Sequence, residues 1–194
     1  MSNTLEYIRM AALDADQPEL AKVVFSFAAL LRNNTDQSPM TTLSQELNFI
    51  EKYIYLYQVR FPDRLAYQVQ LEDDLKQLPL PKFSLQPLVE NYFVHGIDWT
   101  RHDNLIVIKA RRVADTVAIS VINNGRPLSM AELSKLNLAM TEPLDDHKRN
   151  SIGLQNVYAR LASHLGASFH MRLQQNSLGG VSTKLTWTEE RKDL

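Results

Sequence analysis

The sequence predicts an α+β protein in which a helical N-terminal part is followed by a part that combines strands and helices. Apolar residues recur at three- and four-residue spacing as far as Phe61, which is typical of amphipathic helices. Beyond Pro62, apolar and polar residues alternate or form runs rich in β-branched side chains, which favour strands. The 194 residues contain no internal repeat, and they suffice for one domain with a hydrophobic core and a short helical appendage.

Three helices are predicted in the first part. The first covers residues 5–14. The second begins near Asp16, a residue type that caps helices, with Pro18 in its first turn. The third begins at Thr42, which forms a capping-box pair with Gln45. The apolar stripes of the second and third helices comprise Leu20, Val23, Val24, Phe27, Leu30 and Leu31, and then Leu43, Leu47, Ile50, Ile54, Tyr57 and Phe61.

Five strands and two further helices are predicted in the second part. Ala114 and Asp115 separate two of the strands closely enough to form a hairpin. The polar segment 128–150 is long for a connection, which is typical of a lid. The predicted strands cover 65–71, 105–110, 116–122, 168–173 and 181–187, and the predicted helices cover 85–95 and 152–165.

The composition excludes several classes of function. A formal net charge of −1 leaves no basic excess for binding nucleic acid. The absence of cysteine excludes disulfides, thiolate catalysis and cysteine zinc sites, and the histidines lack the spacing of metal ligands. No apolar run reaches about 18 residues, so we expect no membrane contact by this chain. The sequence also lacks the P-loop, dinucleotide-binding and serine-hydrolase motifs.

Segment 86–97 places polar residues on an otherwise apolar helix. Asn91 and His95 lie one helical turn apart, so both can face one site, and Glu90 adds a carboxylate beside them. An amide oxygen is a hard ligand that suits Mg²⁺, which binds proteins through few groups together with substrate phosphates. Helix caps and ordinary surface contacts are the alternative explanation.

Two further segments indicate a ligand. Asn123 ends an apolar strand, where it can meet a planar ligand, although a simple turn explains the same pattern. Gly153 lies in the first turn of a predicted helix, where glycine lets a ligand approach the backbone and free N–H groups attract phosphate. A capped helix with an incidental glycine is the alternative here.

Taken together, the order and spacing of these segments resemble the LytS/YehU-type sensor histidine kinases, whose catalytic domain has the GHKL ATPase fold. Q-P-L-V-E-N…H-G-I at 86–97 resembles the N box of that family, and N-N-G at 123–125 resembles its D-N-G motif. S-I-G-L-Q-N-V-Y-A-R-L at 151–161 resembles its G-x-G-L-x-N-x-x-x-R-L box. The helix at 47–61 and Asn3-Thr4-Leu5 resemble the helix that opens the domain and the end of the phosphoacceptor motif.

The resemblance implies a two-layer α/β sandwich with a mixed sheet and helices on one face, preceded by a helical hairpin. Residues 1–40 would be part of the dimerisation and phosphoacceptor region, and residues 41–194 would be the ATP-binding catalytic domain. We expect the chain to begin just after the phosphoacceptor histidine. It would be a cytoplasmic piece of a longer membrane-anchored sensor, with Met1 added by cloning.

The resemblance also implies ligands and partners. ATP would transfer its γ-phosphoryl group to a histidine of the dimerisation helices, in a homodimer, and then to an aspartate of a response regulator. Glu90 and His95 would be catalytic, and Asn91 would hold Mg²⁺. The nucleotide-binding residues would be Asn91, Asn123, which faces the adenine, Gly125, Ile152, Gly153 and Leu154.

Three positions depart from the family pattern. Asn123 stands where aspartate is usual, Val94 where lysine is common, and Pro127 where a second glycine is usual. These departures favour an alternative, in which a degenerate domain binds nucleotide weakly or not at all and acts as a dimerising signalling scaffold. The Asn123 amide can accept from adenine or donate to a guanine O6. A repair or chaperone ATPase is disfavoured because Pro87 stands where its hydrolytic glutamate is expected.

Overall fold

The computed structural model describes residues 2–35, 38–142 and 152–189. The helices in these ranges are α1 (Ser2–Asp14), α2 (Pro18–Thr35), α3 (Leu43–Arg60), α4 (Gln86–Asn91), α5 (Met130–Thr141) and α6 (Ile152–Leu165). The strands are β1 (Met40–Thr42), β2 (Leu65–Leu71), β3 (Pro79–Pro81), β4 (Asn104–Val113), β5 (Thr116–Asn123), β6 (His170–Gln175) and β7 (Val181–Thr188). A 3₁₀ turn (Asp73–Leu75) follows β2, and a π-helical turn (Tyr92–Gly96, the π turn) continues α4.

A mixed five-stranded sheet forms one layer of the protein. Its strand order is β2–β4–β5–β7–β6. β2 runs parallel to β4, and the other neighbouring pairs of this sheet are antiparallel. Burial alternates along β5, where Val117, Ile119 and Val121 are buried under the helices and the residues between them are partly exposed. The predicted two-layer α+β fold with a mixed sheet and helices on one face is therefore confirmed.

The first two helices form a hairpin, and α2 also packs against α3. The turn between α1 and α2 places Asp16 at φ +53°, a left-handed conformation that aspartate adopts more readily than most residues. Buried Ala21 and Ala28 let neighbouring helices approach closely. No helix in the described ranges is long and apolar enough to cross a membrane. The division of the chain into 1–40 and 41–194 stays a prediction.

The helix predicted over 85–95 changes type part of the way along. Gln86–Asn91 is α-helical, whereas Tyr92–Gly96 forms the π turn, which ends where the Ile97 N–H donates to the Tyr92 carbonyl oxygen at 2.8 Å. A π-helical turn lasts one turn and keeps nearly the same apolar spacing as an α-helix, so the sequence pattern does not distinguish the two.

The predicted lid at 128–150 contains a helix that the sequence analysis missed. α5 begins with a capping box, in which the Ser129 hydroxyl accepts from the Glu132 N–H and the Glu132 carboxylate accepts from the Ser129 N–H. The S-x-x-E pattern of this box is visible in the sequence, and Leu133 is buried on the inner face of the helix. Residues 143–150 lie outside the described residues.

Two smaller differences concern strands. β1 and β3 pair antiparallel, with Met40 opposite Pro81, and were not predicted because three residues are too few to show alternation. β6 spans His170–Gln175 rather than 168–173, so its predicted position was two residues early.

A buried carboxylate on α3 holds the start of α4. Glu46 accepts from the backbone N–H of Phe83 at 2.8 Å and from that of Leu85 at 3.1 Å. Arg160 on α6 donates to the Phe83 carbonyl oxygen at 2.8 Å. The N-cap residue of α4 makes no side-chain capping bond, so Glu46 supplies the cap from 39 residues away. Glu46 and Arg160 thereby join three helices at the turn that precedes α4, and this pair of residues is called the clamp.

The two members of this clamp respond differently to burial. Burial raises the pKa of the Glu46 carboxyl, and the backbone N–H donors act in the opposite direction. Burial lowers the pKa of the Arg160 guanidinium, and the nearby Glu46 acts to raise it. The clamp therefore depends on hydrogen bonds to the backbone as much as on charge.

We predict that Glu46→Gln lowers the free energy of unfolding by about 1–3 kcal/mol, because the amide accepts from one N–H and directs its own donors at the other. Urea unfolding measures the change. Glu51→Gln on the exposed face of the same helix is the matched control and should leave stability nearly unchanged. Equal stability of the two variants would show that the clamp contributes nothing.

The pH dependence of stability tests the same carboxyl. The folded state binds the Glu46 proton more tightly than the unfolded state, whose pKa is near the ordinary 4.5, because burial raises the folded pKa. Wild type therefore loses stability as the pH rises from 4.5 through the folded pKa. Glu46→Gln has no carboxyl proton to lose at this position. The difference in free energy of unfolding between this variant and wild type should therefore become smaller as the pH rises. A stability difference that grows with rising pH would contradict the raised pKa of Glu46.

Candidate functional site

A cavity of about 360 Å³ lies at the end of the sheet, between the π turn and helices α5 and α6. It is lined by residues from all three segments that the sequence analysis selected. Five of the eight predicted site residues line it: Asn91, His95, Asn123, Gly153 and Leu154. Segments that are up to 63 residues apart in sequence, from 91 to 154, therefore converge on one space.

Asn91 lines this cavity, and one of its side-chain atoms is unsatisfied. Its Nδ2 atom is buried and has no hydrogen-bond partner among the described residues. Leaving a buried donor unpaired costs about 1–3 kcal/mol. The side chain also offers an amide oxygen, the type of atom that Mg²⁺ prefers. The described residues contain no group of three or more histidine, cysteine, aspartate or glutamate residues that could hold a metal ion.

The two predicted catalytic residues lie on different sides of this segment. His95 belongs to the π turn, is exposed and lines the cavity. Glu90 does not line the cavity: its carboxylate accepts from the Gln86 amide at 2.6 Å. Burial, the hydrogen bond between the Tyr53 and Tyr57 hydroxyls and the charge of Glu90 together raise the pKa of Tyr53 on α3. The Glu90 carboxylate is therefore bonded within α4 and lies outside the cavity lining.

The amide of Asn123 has its oxygen engaged inside the protein. Oδ1 accepts from the Gly125 N–H at 3.1 Å and from the Val181 N–H at 3.5 Å. The backbone oxygen of Asn123 accepts from the Asn176 amide at 2.9 Å. The Asn123 Nδ2 atom makes no hydrogen bond within the described ranges, and the side chain lines the cavity. The side chain therefore presents a donor to the cavity.

Asn124 is a structural residue that the sequence analysis did not select. Its Oδ1 accepts from the Leu105 N–H at 2.8 Å and from the Tyr92 hydroxyl at 3.4 Å. Its Nδ2 donates to the Asp103 carbonyl oxygen at 2.6 Å. Asn124 thus ties the end of β5 to the start of β4 and to the π turn. A second asparagine after an apolar strand was the available signal, because a partly buried amide needs such partners.

The two predicted glycines differ in what surrounds them. A Cβ at Gly125 would lie 2.5 Å from the Gly96 carbonyl oxygen and 2.6 Å from Tyr92 Cε2, so glycine is required for the chain segments to touch. The Arg126 N–H donates to the same Gly96 oxygen at 2.8 Å. A Cβ at Gly153 would meet no atom of residues 2–35, 38–142 or 152–189 within 4 Å. Internal packing therefore explains Gly125 and does not explain Gly153.

Helix α5 and strands β6 and β7 close the other side of the cavity. Arg126 and Glu132 form an ion pair at 2.9 Å beside it. α5 is fixed to β6 because the Asn137 amide donates to the Leu173 carbonyl oxygen and accepts from the Leu173 N–H. An apolar wall, suited to a planar ring, is formed by Leu128, Leu136, Leu173 and Val181.

Two predicted site residues remain to be placed. Gly125 lies directly beside the cavity residues Asn123 and Arg126 but does not line the space. Ile152 is the first residue of α6, immediately before Gly153. The site roles of all eight residues stay predictions.

Comparison with solved structures identifies the class of fold. The catalytic domain of the histidine kinase ThkA superposes with a TM-score of 0.54 at 15% sequence identity, over 77% of this chain and 93% of that chain. The histidine kinase domain from an Erythrobacter litoralis blue-light activated histidine kinase gives a TM-score of 0.50 at 10% identity, over 96% of this chain and 93% of its own. The fold is that of a histidine-kinase catalytic domain.

The curated relatives define the resemblance more closely. Sensor protein LytS from Oceanobacillus iheyensis is 27% identical over 183 residues, which is 92% of this chain. Sensor histidine kinase YesM from Bacillus subtilis is 26% identical over 185 residues, which is 95% of this chain. A family model described as "Histidine kinase" matches residues 1–65. The chain resembles the LytS- and YesM-type sensor histidine kinases, as its motifs predicted, and it spans 31% and 30% of the length of these two relatives.

We predict that Gly125→Ala lowers the free energy of unfolding by about 1–3 kcal/mol, because the new methyl group forces the π turn and the end of β5 apart. Gly153→Ala is the matched control. It should keep or raise stability by up to about 1 kcal/mol, since alanine favours a helix and the space is open. Urea unfolding of both variants decides, and a stable Gly125→Ala protein would contradict the packing argument.

Proposed function

We propose that this chain binds a purine nucleoside triphosphate with Mg²⁺ in the cavity, ATP as the resemblance implies, and serves as the catalytic part of a sensor histidine kinase. The observation that supports it best is the convergence of Asn91, Asn123 and Gly153 on one cavity, with the amide nitrogen of Asn91 buried and unpaired. A volume of about 360 Å³ is within the range of small-molecule sites.

Each part of the cavity suits one part of that ligand. The amide oxygen of Asn91 would hold Mg²⁺, which neutralises phosphate charge when bound. The first turn of α6, at Ile152, Gly153 and Leu154, directs backbone N–H groups and the positive end of the helix dipole toward phosphate. The open space at Gly153 lets the phosphates reach the backbone. The apolar wall would contact the base.

The proposed reaction transfers the γ-phosphoryl group to a histidine of the dimerisation helices. An imidazole nitrogen attacks the γ-phosphorus, the bond to the β–γ bridging oxygen breaks, and the nucleoside diphosphate leaves. His95 lies at the cavity, where it can contact the phosphates. A catalytic role for Glu90 requires the acceptor histidine to approach from the α3 side, because its carboxylate faces Tyr53.

The helical hairpin supports the proposed homodimer. Helices α1 and α2 leave large apolar side chains in solvent, which is unusual for a surface without a partner. We propose that a second copy covers them and that the phosphoryl group then passes to a response regulator, in a longer sensor anchored in the membrane. The exposed side chains are Tyr7, Ile8, Met10, Leu13, Leu20, Phe25 and Phe27.

A signalling scaffold without nucleotide is the second candidate. Two observations favour it. The Asn123 amide oxygen already accepts from the Gly125 N–H and lies within 3.5 Å of the Val181 N–H, so it is less available to an adenine amino group. The Arg126 guanidinium beside the cavity is paired with Glu132 and is less available for phosphate.

We predict that MgATP raises the melting temperature by about 5–10 °C at a hundredfold excess over Kd. Asn91→Leu and Gly153→Ala should reduce this rise, the first by removing the metal ligand and the second by filling the approach to the phosphates. Both variants should be at least as stable as wild type without nucleotide, because the first removes an unpaired buried donor and the second favours the helix.

The control for this experiment is Ser163→Ala, at an exposed position of α6 away from the cavity, which should keep the full rise. Thermal unfolding followed by circular dichroism measures every variant with and without nucleotide. Absence of any rise in wild type at millimolar nucleotide and Mg²⁺ would contradict the proposal and favour the scaffold.

A further inference from the structure

The orientation of the Asn123 amide is fixed by the backbone. Two N–H groups, those of Gly125 and Val181, point at its Oδ1. The Gly125 N–H is at 3.1 Å and the Val181 N–H is at 3.5 Å, so the first bond is the stronger one and both donors lie on the oxygen side of the amide. Turning the amide over would place its NH₂ group against two N–H donors and leave all of them unpaired. The donor Nδ2 is therefore the atom available to a ligand.

Asn123 lies at the end of the cavity that suits a base rather than a phosphate. Its oxygen is bonded to Val181, a member of the apolar wall. Val181 is opposite Gln175 on β6, two residues beyond Leu173, which belongs to the same wall. The groups that suit phosphate and metal, Asn91 and the start of α6, belong to the helical layer instead. A purine against the wall would present an edge to Asn123.

The edge of a purine distinguishes the two possible partners of this amide. Adenine carries an amino donor at carbon 6, whereas guanine and hypoxanthine carry an oxygen acceptor there. An asparagine reads adenine by accepting from the amino group through its oxygen while donating to N7. The oxygen of Asn123 is occupied, so the adenine amino group would meet a second donor. A 6-oxo group would accept from Nδ2.

We propose that the cavity prefers 6-oxopurine nucleoside triphosphates over ATP and that Asn123 is the residue that selects the base. This inference rests on the proposed nucleotide-binding function and names its substrate class more closely. The aspartate that is usual at this position in the family would present an acceptor instead, so this single substitution reverses the polarity of the contact.

Inosine triphosphate is the probe that isolates this contact, because it has the oxygen at carbon 6 and lacks the 2-amino group of GTP. Isothermal titration of the wild-type chain with ATP, inosine triphosphate and GTP, each with Mg²⁺, measures the three values of Kd. We expect inosine triphosphate to bind about tenfold more tightly than ATP, since one unmet hydrogen bond in a partly enclosed site is worth about that factor.

Asn123→Asp provides the matched variant. The carboxylate keeps one oxygen for the Gly125 N–H and presents the other to the ligand, so the preference should reverse to about tenfold in favour of ATP. Asn91→Leu should weaken the binding of ATP and of inosine triphosphate by the same factor, because it removes the proposed metal ligand. The ratio of the two Kd values should therefore stay unchanged.

The outcomes separate the inference from the function on which it rests. If neither ATP nor inosine triphosphate binds, both the base preference and the proposed nucleotide-binding function are overturned. ATP binding as tightly as inosine triphosphate, or more tightly, in the wild-type chain overturns the base preference and leaves the nucleotide site intact. An unchanged ratio in Asn123→Asp overturns the role of that residue. Weaker binding of GTP than of inosine triphosphate, with both tighter than ATP, supports the inference.

Discussion

Close packing of the β5 exit on the π turn is the contact on which the cavity depends. Gly125 lies against the Gly96 carbonyl oxygen and the Tyr92 ring with no room for a side chain. Asn124 adds hydrogen bonds from the same exit to Tyr92 and to β4. Because these segments touch, the last residue of a strand and the polar residues of a helix open onto one space. Without this contact, Asn123 and Asn91 would belong to separate surfaces.

The clamp at the other end of α4 complements this packing. α4 has six residues and no capping side chain of its own, so it would be marginal in isolation. Glu46 from α3 and Arg160 from α6 bond the backbone just before it, and the π turn holds its far end. Asn91 is therefore placed by interactions at both ends of a short helix. This arrangement holds the Asn91 side chain within tight limits, as the proposed metal site would require.

Local sequence patterns predicted most of the helices and strands, but they could not predict hydrogen bonds between residues that are distant in sequence. The alternation in β2 and the apolar runs of β4 and β5 are local, and their strands lie where expected. The bonds of Glu46 to Phe83 and of Arg160 to the same turn span 37 and 77 residues, and no spacing rule predicts them. Likewise, the sequence indicated that Asn123 would meet a ligand, but only Val181, 58 residues later, fixes which atom faces it.

The three departures from the family pattern affect different parts of the site. Val94 is 70% exposed and does not line the cavity, so this departure lies on the surface outside the proposed site. Pro127 is exposed and also lies off the lining. Asn123 is the one residue of the three that lines the cavity, and it lies at the end beside the apolar wall, where the purine base is proposed to bind. Asn91 and Gly153 have the residue types that suit metal and phosphate. Of the three departures, only Asn123 therefore changes a group that faces the cavity.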